Sequence, residues 1–337
     1  MPLTPDAETS DAPAPPSPSR APLRGVGASH AKAILFGEHA VVYGAPAIAI
    51  PVDSLTAEAV IERGAPGLRI ESSLFTGPVE DAPARLAPVV TAIRASLERA
   101  GLGELARGVD AQGATVRIRS AIPHERGLGS SAAVAAAITR AAFDLAGSAL
   151  DDETLFELIQ TAEKVAHGTP SGIDARTVAA TGAIRFNRGA VAPIRIGAPL
   201  TLAFADSGHP GSTAKAVGSV QALREREPET TDALLSRLAE IAEGSIADLA
   251  AGDRAAIGAA MTEAHGILNR VGVSSERLDA ITEAAREAGA AGAKLTGGGL
   301  GGCVIAVADD AAHADRIGAA MRRAGAERTW TVEVPAA

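Results

Sequence analysis

The chain of 337 residues holds a single cysteine, Cys303. A lone thiol closes no internal disulfide and rules out a multi-cysteine metal site, so the expected setting is reducing. Long apolar runs are missing as well. Charges or glycines interrupt every hydrophobic segment short of the ~18 residues that a membrane span requires, and no basic-then-apolar leader opens the sequence. The expectation is a cytoplasmic protein with no membrane partner. Excess positive charge is also lacking: the formal net charge is -9 with no Lys/Arg cluster, which argues against nucleic acid as a partner. Lysine itself is scarce. Only Lys32, Lys164, Lys215 and Lys294 stand among 31 basic residues, so each marks a place where a compact point charge is wanted instead of a planar guanidinium.

What is present is apolar enough, at 47% hydrophobic residues and a mean hydropathy of +0.15, to bury a core shared by two lobes. Residues 1–22 are rich in Pro, Ala, Ser and Thr without apolar periodicity, and are expected to form a disordered tail. From Val26 to Phe36 and from Ala45 to Ile61 the pattern is that of strands, with Tyr43-Gly44-Ala45-Pro46 as the turn between them. Helical spacing follows over Arg85 to Ala100, then a strand over Thr115 to Arg119. A helix from Asp151 or Asp152 to His167 and a short one over Asp174 to Ala180 precede strands at Ala183 to Phe186 and Leu200 to Ala205. Residues 212–289 read as four helices parted near Pro228, Gly252 and Gly272. The chain finishes as strand, glycine loop, strand, helix and strand. There is no internal repeat of fixed period.

Four stretches carry chemistry. In Pro123 to Ala137, Pro-His-Glu-Arg-Gly-Leu-Gly-Ser-Ser-Ala-Ala-Val-Ala-Ala-Ala, a strand runs through a glycine loop into a helix. Glycine lets backbone approach a ligand, and first-turn N–H groups with the helix dipole favour an anion such as a triphosphate. The plainer alternative is an ordinary turn with a capping serine. In His167 to Asp174, Gly, Pro and hydroxyl residues form a tight turn that delivers Asp174 to a helix start, as a proton acceptor for a substrate hydroxyl or as a mere cap. Glu163, on the preceding helix, is either a Mg²⁺ ligand or part of a solvated face shared with Lys164. Lys32 to Gly44 sets Gly-Glu-His at a strand end, where sites are built. Thr296 to Gly302 is nearly polyglycine, a composition expected only where backbone packs closely against something. Cys303 is expected to be a small buried hydrophobe.

Together and in this order these stretches resemble the GHMP kinase superfamily over about residues 26 to 335, and look most like its mevalonate-phosphorylating branch. The resemblance implies an α/β (α+β) GHMP kinase fold. Its N-terminal, ATP-binding domain of the ribosomal S5 domain 2-like type would span 23–185, and its ferredoxin-like α+β C-terminal domain 186–337, with the site between them. It implies direct transfer from ATP, with Mg²⁺, to the 5-hydroxyl of (R)-mevalonate. By the resemblance Asp174 is the base or hydroxyl-orienting group and Lys32 stabilises developing charge. Ser131 and Glu163 hold Mg²⁺. ATP is cradled by Pro123, Arg126, Gly127, Leu128, Gly129, Ser130, Ser131 and Ala132. Glu38, His39, Gly172, Ile173 and Thr213 face the acceptor, and a homodimer is the implied assembly. A sister kinase acting on mevalonate's 3-hydroxyl or on phosphomevalonate, and a metabolite sensor without turnover, remain as alternatives. The chain departs from the family at His30-Ala31, where relatives place Pro-Gly before the lysine, and at Leu300, where many have glycine.

Overall fold

The structure is a computed structural model that describes residues 23–64, 66–109 and 112–337; the expected tail, 1–22, lies outside the described residues. A seven-stranded sheet comes first. Strand β1 (Arg24–Phe36) pairs antiparallel with the long β2 (Ala47–Arg63) along nearly its whole length. One end of β2 also pairs with β5 (Ala114–Ser120) and the other with β6 (Ile184–Asn187). Short β3 (Leu68–Glu71) and β4 (Thr76–Pro78) extend the sheet beyond β5, and β7 (Ala190–Pro193) extends it beyond β6.

Helices α1 (Ala87–Arg99), α2 (Gly103–Ala106), α3 (Ser130–Ala146), α4 (Asp152–His167) and α5 (Ile173–Ala179) belong to this half. The alanines of α3 bring it hard against β1. A Cβ at Gly25 would collide with the carbonyl of Ala141, and one at Gly27 with that of Ala137. Buried α3 methyls and bare β1 backbone thus replace the usual side-chain layer, which closes the gap that larger residues would hold open.

The second half is a four-stranded antiparallel sheet: β8 (Leu200–Asp206), β9 (Ala293–Thr296), β10 (Cys303–Ala308) and β11 (Arg328–Val334), in the order β11-β8-β10-β9. Counted within the sheet this is 4-1-3-2, the ferredoxin-like order that the resemblance implied. Helices α6 (Thr213–Arg226), α7 (Pro228–Ala251), α8 (Arg254–Arg270) and α9 (Glu276–Glu287) lie between β8 and β9, and α10 (Ala311–Arg323) between β10 and β11. Asp253, Ser275 and Asp310 cap α8, α9 and α10 with their side chains.

Two corrections to the sequence expectations arise here. A division between 185 and 186 would cut through β6; the first sheet continues to Pro193 and the second opens at Leu200. Strands β3, β4 and β7 were not foreseen, since each has at most four residues, too few for the alternation in β3 to stand out, and β7 is exposed throughout. All other expected elements are present within a few residues of their expected ends.

The tight seating of α3 predicts that Gly27→Ala lowers unfolding stability by at least ~2 kcal/mol, because the added methyl meets backbone that cannot turn aside. Chemical denaturation measures this; a midpoint equal to the parent's would show that α3 stands off the strand.

Candidate active site

Lys32 approaches the site from inside the first sheet. A bulge between His30 and Ala31 breaks the β1 register just before it, and the His30 ring bonds the Ala180 carbonyl at 2.8 Å. This bulge occupies the place where the family pattern has Pro-Gly. The Lys32 N–H donates to Leu128 O at 3.0 Å, and its stem runs beneath Gly129, where a Cβ would come within 2.8 Å of Lys32 Cγ. The glycine is therefore fixed by the lysine under it. Lys32 is 2% exposed, and its Nζ ends 2.8 Å from Asp174 Oδ1.

Asp174 is the second residue of α5, which follows Gly172 at φ 93. Asp174 does not cap this helix, whose first N–H, that of Ile173, donates to Ser171 Oγ at 3.4 Å. The Asp174 carboxylate is turned to Lys32, and a third of it is exposed to the cavity. Glu163 on α4 is buried at 2% exposure, which excludes the solvated-face alternative for it. The Ser131 hydroxyl donates to Glu163, and His167 Nε2 lies 3.7 Å from Oε2. Glu163 Oε1 is buried without a partner. Burial first, and the neighbouring Asp174 charge second, raise the Glu163 carboxyl above its ordinary range. An orphaned carboxylate oxygen beside a hydroxyl, at the N-terminus of α3, fits a small hard cation brought in with phosphate oxygens. No cluster of three or more acidic, His or Cys groups able to hold a metal occurs among the described residues, so most of such an ion's ligands would have to come from elsewhere.

The two glycine loops meet here. Gly127 and Gly129 have φ values of 76° and 69°. A Cβ at Gly127 would lie 2.9 Å from Thr296 O, one at Gly297 would lie 2.8 Å from Gly127 Cα, and one at Gly302 would lie 2.9 Å from Arg126 O. Thr296 stitches the second sheet to the first, since its Oγ1 accepts from Ile34 N–H at 3.1 Å and donates to Ile34 O at 2.9 Å. Leu300 has φ 58°, the left-handed region that glycine occupies at lower cost, which accounts for the family's preference at this position.

Beyond Lys32 and Asp174 opens a cavity of about 850 Å³. Glu38, His39, Gly172, Ile173 and Thr213 all line it. Burial lowers the His39 imidazole, so the ring is neutral and its Nε2–H donates to Gly298 O at 2.9 Å. Ile34, Val41, Ile173 and Phe186 form one apolar wall.

The positions foreseen for ATP divide in two. Pro123, Leu128 and Ala132 are buried away from the cavity, so what they offer a nucleotide is main chain. Arg126 is spent elsewhere: its Nε lies 2.6 Å from Asp206 Oδ1, with further bonds to the carbonyls of His124 and Gly208, both at 3.2 Å. The foreseen phosphate arginine is a clamp between the loop and β8. Gly127 lines the cavity, and Ser130 and Ser131 open α3 beside it.

Sequence reasoning missed the roles of two residues. Arg188, in the β6–β7 turn at φ 48°, lines the cavity mouth and has no ion-pair or hydrogen-bond partner among the described residues. Nothing in the sequence distinguishes it from the other arginines. Lys294 is fully buried against Glu38, and here the scarcity of lysine was the available signal: Lys32 and Lys294 are buried, Lys164 and Lys215 exposed. Cys303 is buried too, and desolvation pushes its thiol up and out of reactive range, as expected of a hydrophobe.

The description "GHMP kinases N terminal domain" matches residues 88–182, and "GHMP kinases C terminal" matches 245–327. Mevalonate kinase of Thermococcus gammatolerans is 36% identical over 306 residues, covering 86% of this chain and 90% of its own. The chain belongs to the GHMP kinase family. It is thus an ATP-dependent kinase. Mevalonate kinase of Methanothermobacter thermautotrophicus is 31% identical, over 82% of this chain and 88% of its own. Among solved structures, L. major mevalonate kinase in complex with R-mevalonate superposes with a TM-score of 0.80 at 28% identity, covering 95% of this GHMP kinase and 99% of that chain. Lactococcus lactis galactokinase, at 18% identity and a TM-score of 0.72 over 93% of each chain, shares the fold.

The raised Glu163 carboxyl has a consequence for stability. The folded state holds this proton more tightly than the unfolded chain, so stability falls as pH rises from the unfolded value, ~4.3, through the folded one. Above that window the penalty is fully present. Glu163→Gln should therefore melt at or above the parent temperature at pH 8 without nucleotide, while losing Mg²⁺-dependent activity. A lowered melting temperature together with a parental Mg²⁺ titration would make Glu163 a structural residue.

Proposed function

We propose that this kinase transfers the γ-phosphoryl group of ATP to the primary hydroxyl of (R)-mevalonate, giving 5-phosphomevalonate and ADP. The observation that carries the proposal is the Lys32–Asp174 pair at 2.8 Å, seated where the α3 N-terminus meets the acceptor cavity. The cavity's chemistry matches the acceptor. Arg188, a cation without a partner among the described residues, suits its carboxylate, and the Ile34, Val41, Ile173 and Phe186 wall suits its methyl branch.

Asp174 accepts a hydrogen bond from the attacking hydroxyl and takes up its proton as the oxygen bonds to phosphorus. Lys32 holds that carboxylate in place through Oδ1 and, from the same position, offsets charge gathering on the transferring group. Transfer is direct and in line, so the protein's part is alignment and charge compensation. Glu163 Oε1 and the Ser131 hydroxyl would hold Mg²⁺, which supplies neutralisation of the triphosphate oxygens. The main chain of Gly127 to Ser131 receives the phosphates.

A coupled ADP-release assay over mevalonate and phosphomevalonate, with ³¹P spectroscopy of the product, tests the acceptor; turnover of phosphomevalonate in preference to mevalonate would overturn it. Asp174→Asn should retain both ligands within a few fold while kcat falls by ~10²–10⁴, the range for loss of a general base. Retention of more than about a tenth of parental kcat would remove Asp174 from the mechanism. Arg188→Met should raise KM for mevalonate by ~10–100-fold, as for a lost charged hydrogen bond, with KM for ATP unchanged.

A further inference from the structure

The cavity holds a second buried charge pair that the phosphoryl-transfer chemistry does not use. Glu38 follows Gly37 at the end of β1, on the first half of the molecule, and Lys294 lies on β9 of the second. Both are essentially unexposed, at 1% and 0%. Lys294 Nζ donates to Glu38 Oε1 and, at 2.7 Å, to the carbonyl of Leu295, so the ammonium is fixed by its own strand as well as by the carboxylate. Glu38 Oε2 is buried with no partner among the described residues, yet Glu38 is part of the cavity wall.

A buried carboxylate with one oxygen unsatisfied is costly, and the cost persists unless a ligand donor removes it. Burial works against both charges, raising Glu38 and lowering Lys294. Each partner opposes the shift in the other, and Lys32 adds a further positive charge on the Glu38 side. The other neighbour, His39, is neutral and committed to Gly298 O.

We propose that Lys294 is the positioning residue of the acceptor pocket: it holds the Glu38 carboxylate from behind, so that the free Oε2 stands at the cavity wall as the acceptor for a second hydroxyl of the substrate. With the primary hydroxyl on Asp174 and the carboxylate on Arg188, the group left for Glu38 is mevalonate's tertiary 3-hydroxyl. The inference rests on the proposed function for the identity of that hydroxyl, and on the geometry alone for the role of Lys294. A pocket built to pair a hydroxyl rejects an analogue that lacks it, because its polar atom is then left bare.

The test compares mevalonate with its 3-deoxy analogue, by steady-state kinetics and by calorimetric binding, in the parent, Lys294→Met, and Glu38→Gln/Lys294→Met. The parent should favour mevalonate over the 3-deoxy compound by at least ~30-fold in kcat/KM. Lys294→Met should raise KM for mevalonate at least ~10-fold with KM for ATP within about twofold, and should erase most of the discrimination. The double variant leaves no unpaired buried charge. It should recover the parental melting temperature without recovering the discrimination, and it carries the test if the single variant does not fold. Parental discrimination in either variant overturns the proposal, as does recovery of mevalonate KM along with stability in the double variant, which would make the pair purely structural. A parent that binds mevalonate with this preference but does not phosphorylate it would sink the kinase function while upholding Lys294. A parent that binds neither compound would sink both.

Discussion

The active site depends on a contact between two stretches of main chain that have no side chains between them. Gly127 in one loop and Gly297 in the other approach until neither could carry a Cβ, and Gly302 repeats the arrangement against Arg126. Lys32 lies beneath Gly129, Thr296 is bonded to both backbone groups of Ile34, and His39 is bonded to Gly298. Lys32, and through it Asp174, together with Ser131, Glu163 and His39 are each attached to one of these two loops or to a residue that holds it. The unfolded-state entropy of so much glycine is a real cost, and the compensation is placement of functional groups to within tenths of an ångström.

Charge in the site is arranged as two pairs of different character. Lys32–Asp174 is open on the acid side, with a third of the Asp174 side chain exposed, so a substrate can reach it. Glu38–Lys294 is closed to solvent, with one buried carboxylate oxygen left unpartnered among the described residues. Glu163 stands beside the first pair with His167 3.7 Å away, and burial together with the Asp174 charge still holds its carboxyl above the ordinary range. Such stored electrostatic cost is found where a cation or a transferring phosphoryl group is to be received. Arg126, by contrast, is fully engaged with Asp206, which Arg328 also reaches at 3.2 Å, so this clamp keeps the phosphate loop registered on the second sheet.

Much of this was legible in the sequence because it rests on local signals. Glycine–serine spacing before an alanine run gave the α3 entrance, Asp151 gave the start of α4, and the regular helical periods gave the layer from α6 to α9. The order of the four motifs gave the family. What the sequence hid depends on long-range packing. Whether Glu163 faces water or Ser131 is decided by how α4 lies on α3, and a helical period shared with Lys164 leaves both open. Arg126 sits among phosphate-loop residues yet turns to a partner eighty positions away. Arg188 owes its place to a turn in a hairpin whose second strand is exposed throughout. Lys294 was flagged by scarcity, but its partner Glu38 lies 256 positions off, beyond any pattern along the chain.

The glycine seam also bears on how ligands come and go. A joint made of backbone has no rotamers to exchange, so it cannot loosen in small steps; opening it means parting several main-chain contacts at once. Helix α6 touches the seam only at its start, where Thr213 lies against Gly298; farther along it supplies Val217 and Gln221 to the cavity but buries only Ala216 and Val220, so little apolar surface holds the rest of it down. The cavity is therefore held unevenly, by bare backbone that must part all at once along the seam and by sparse apolar packing along α6.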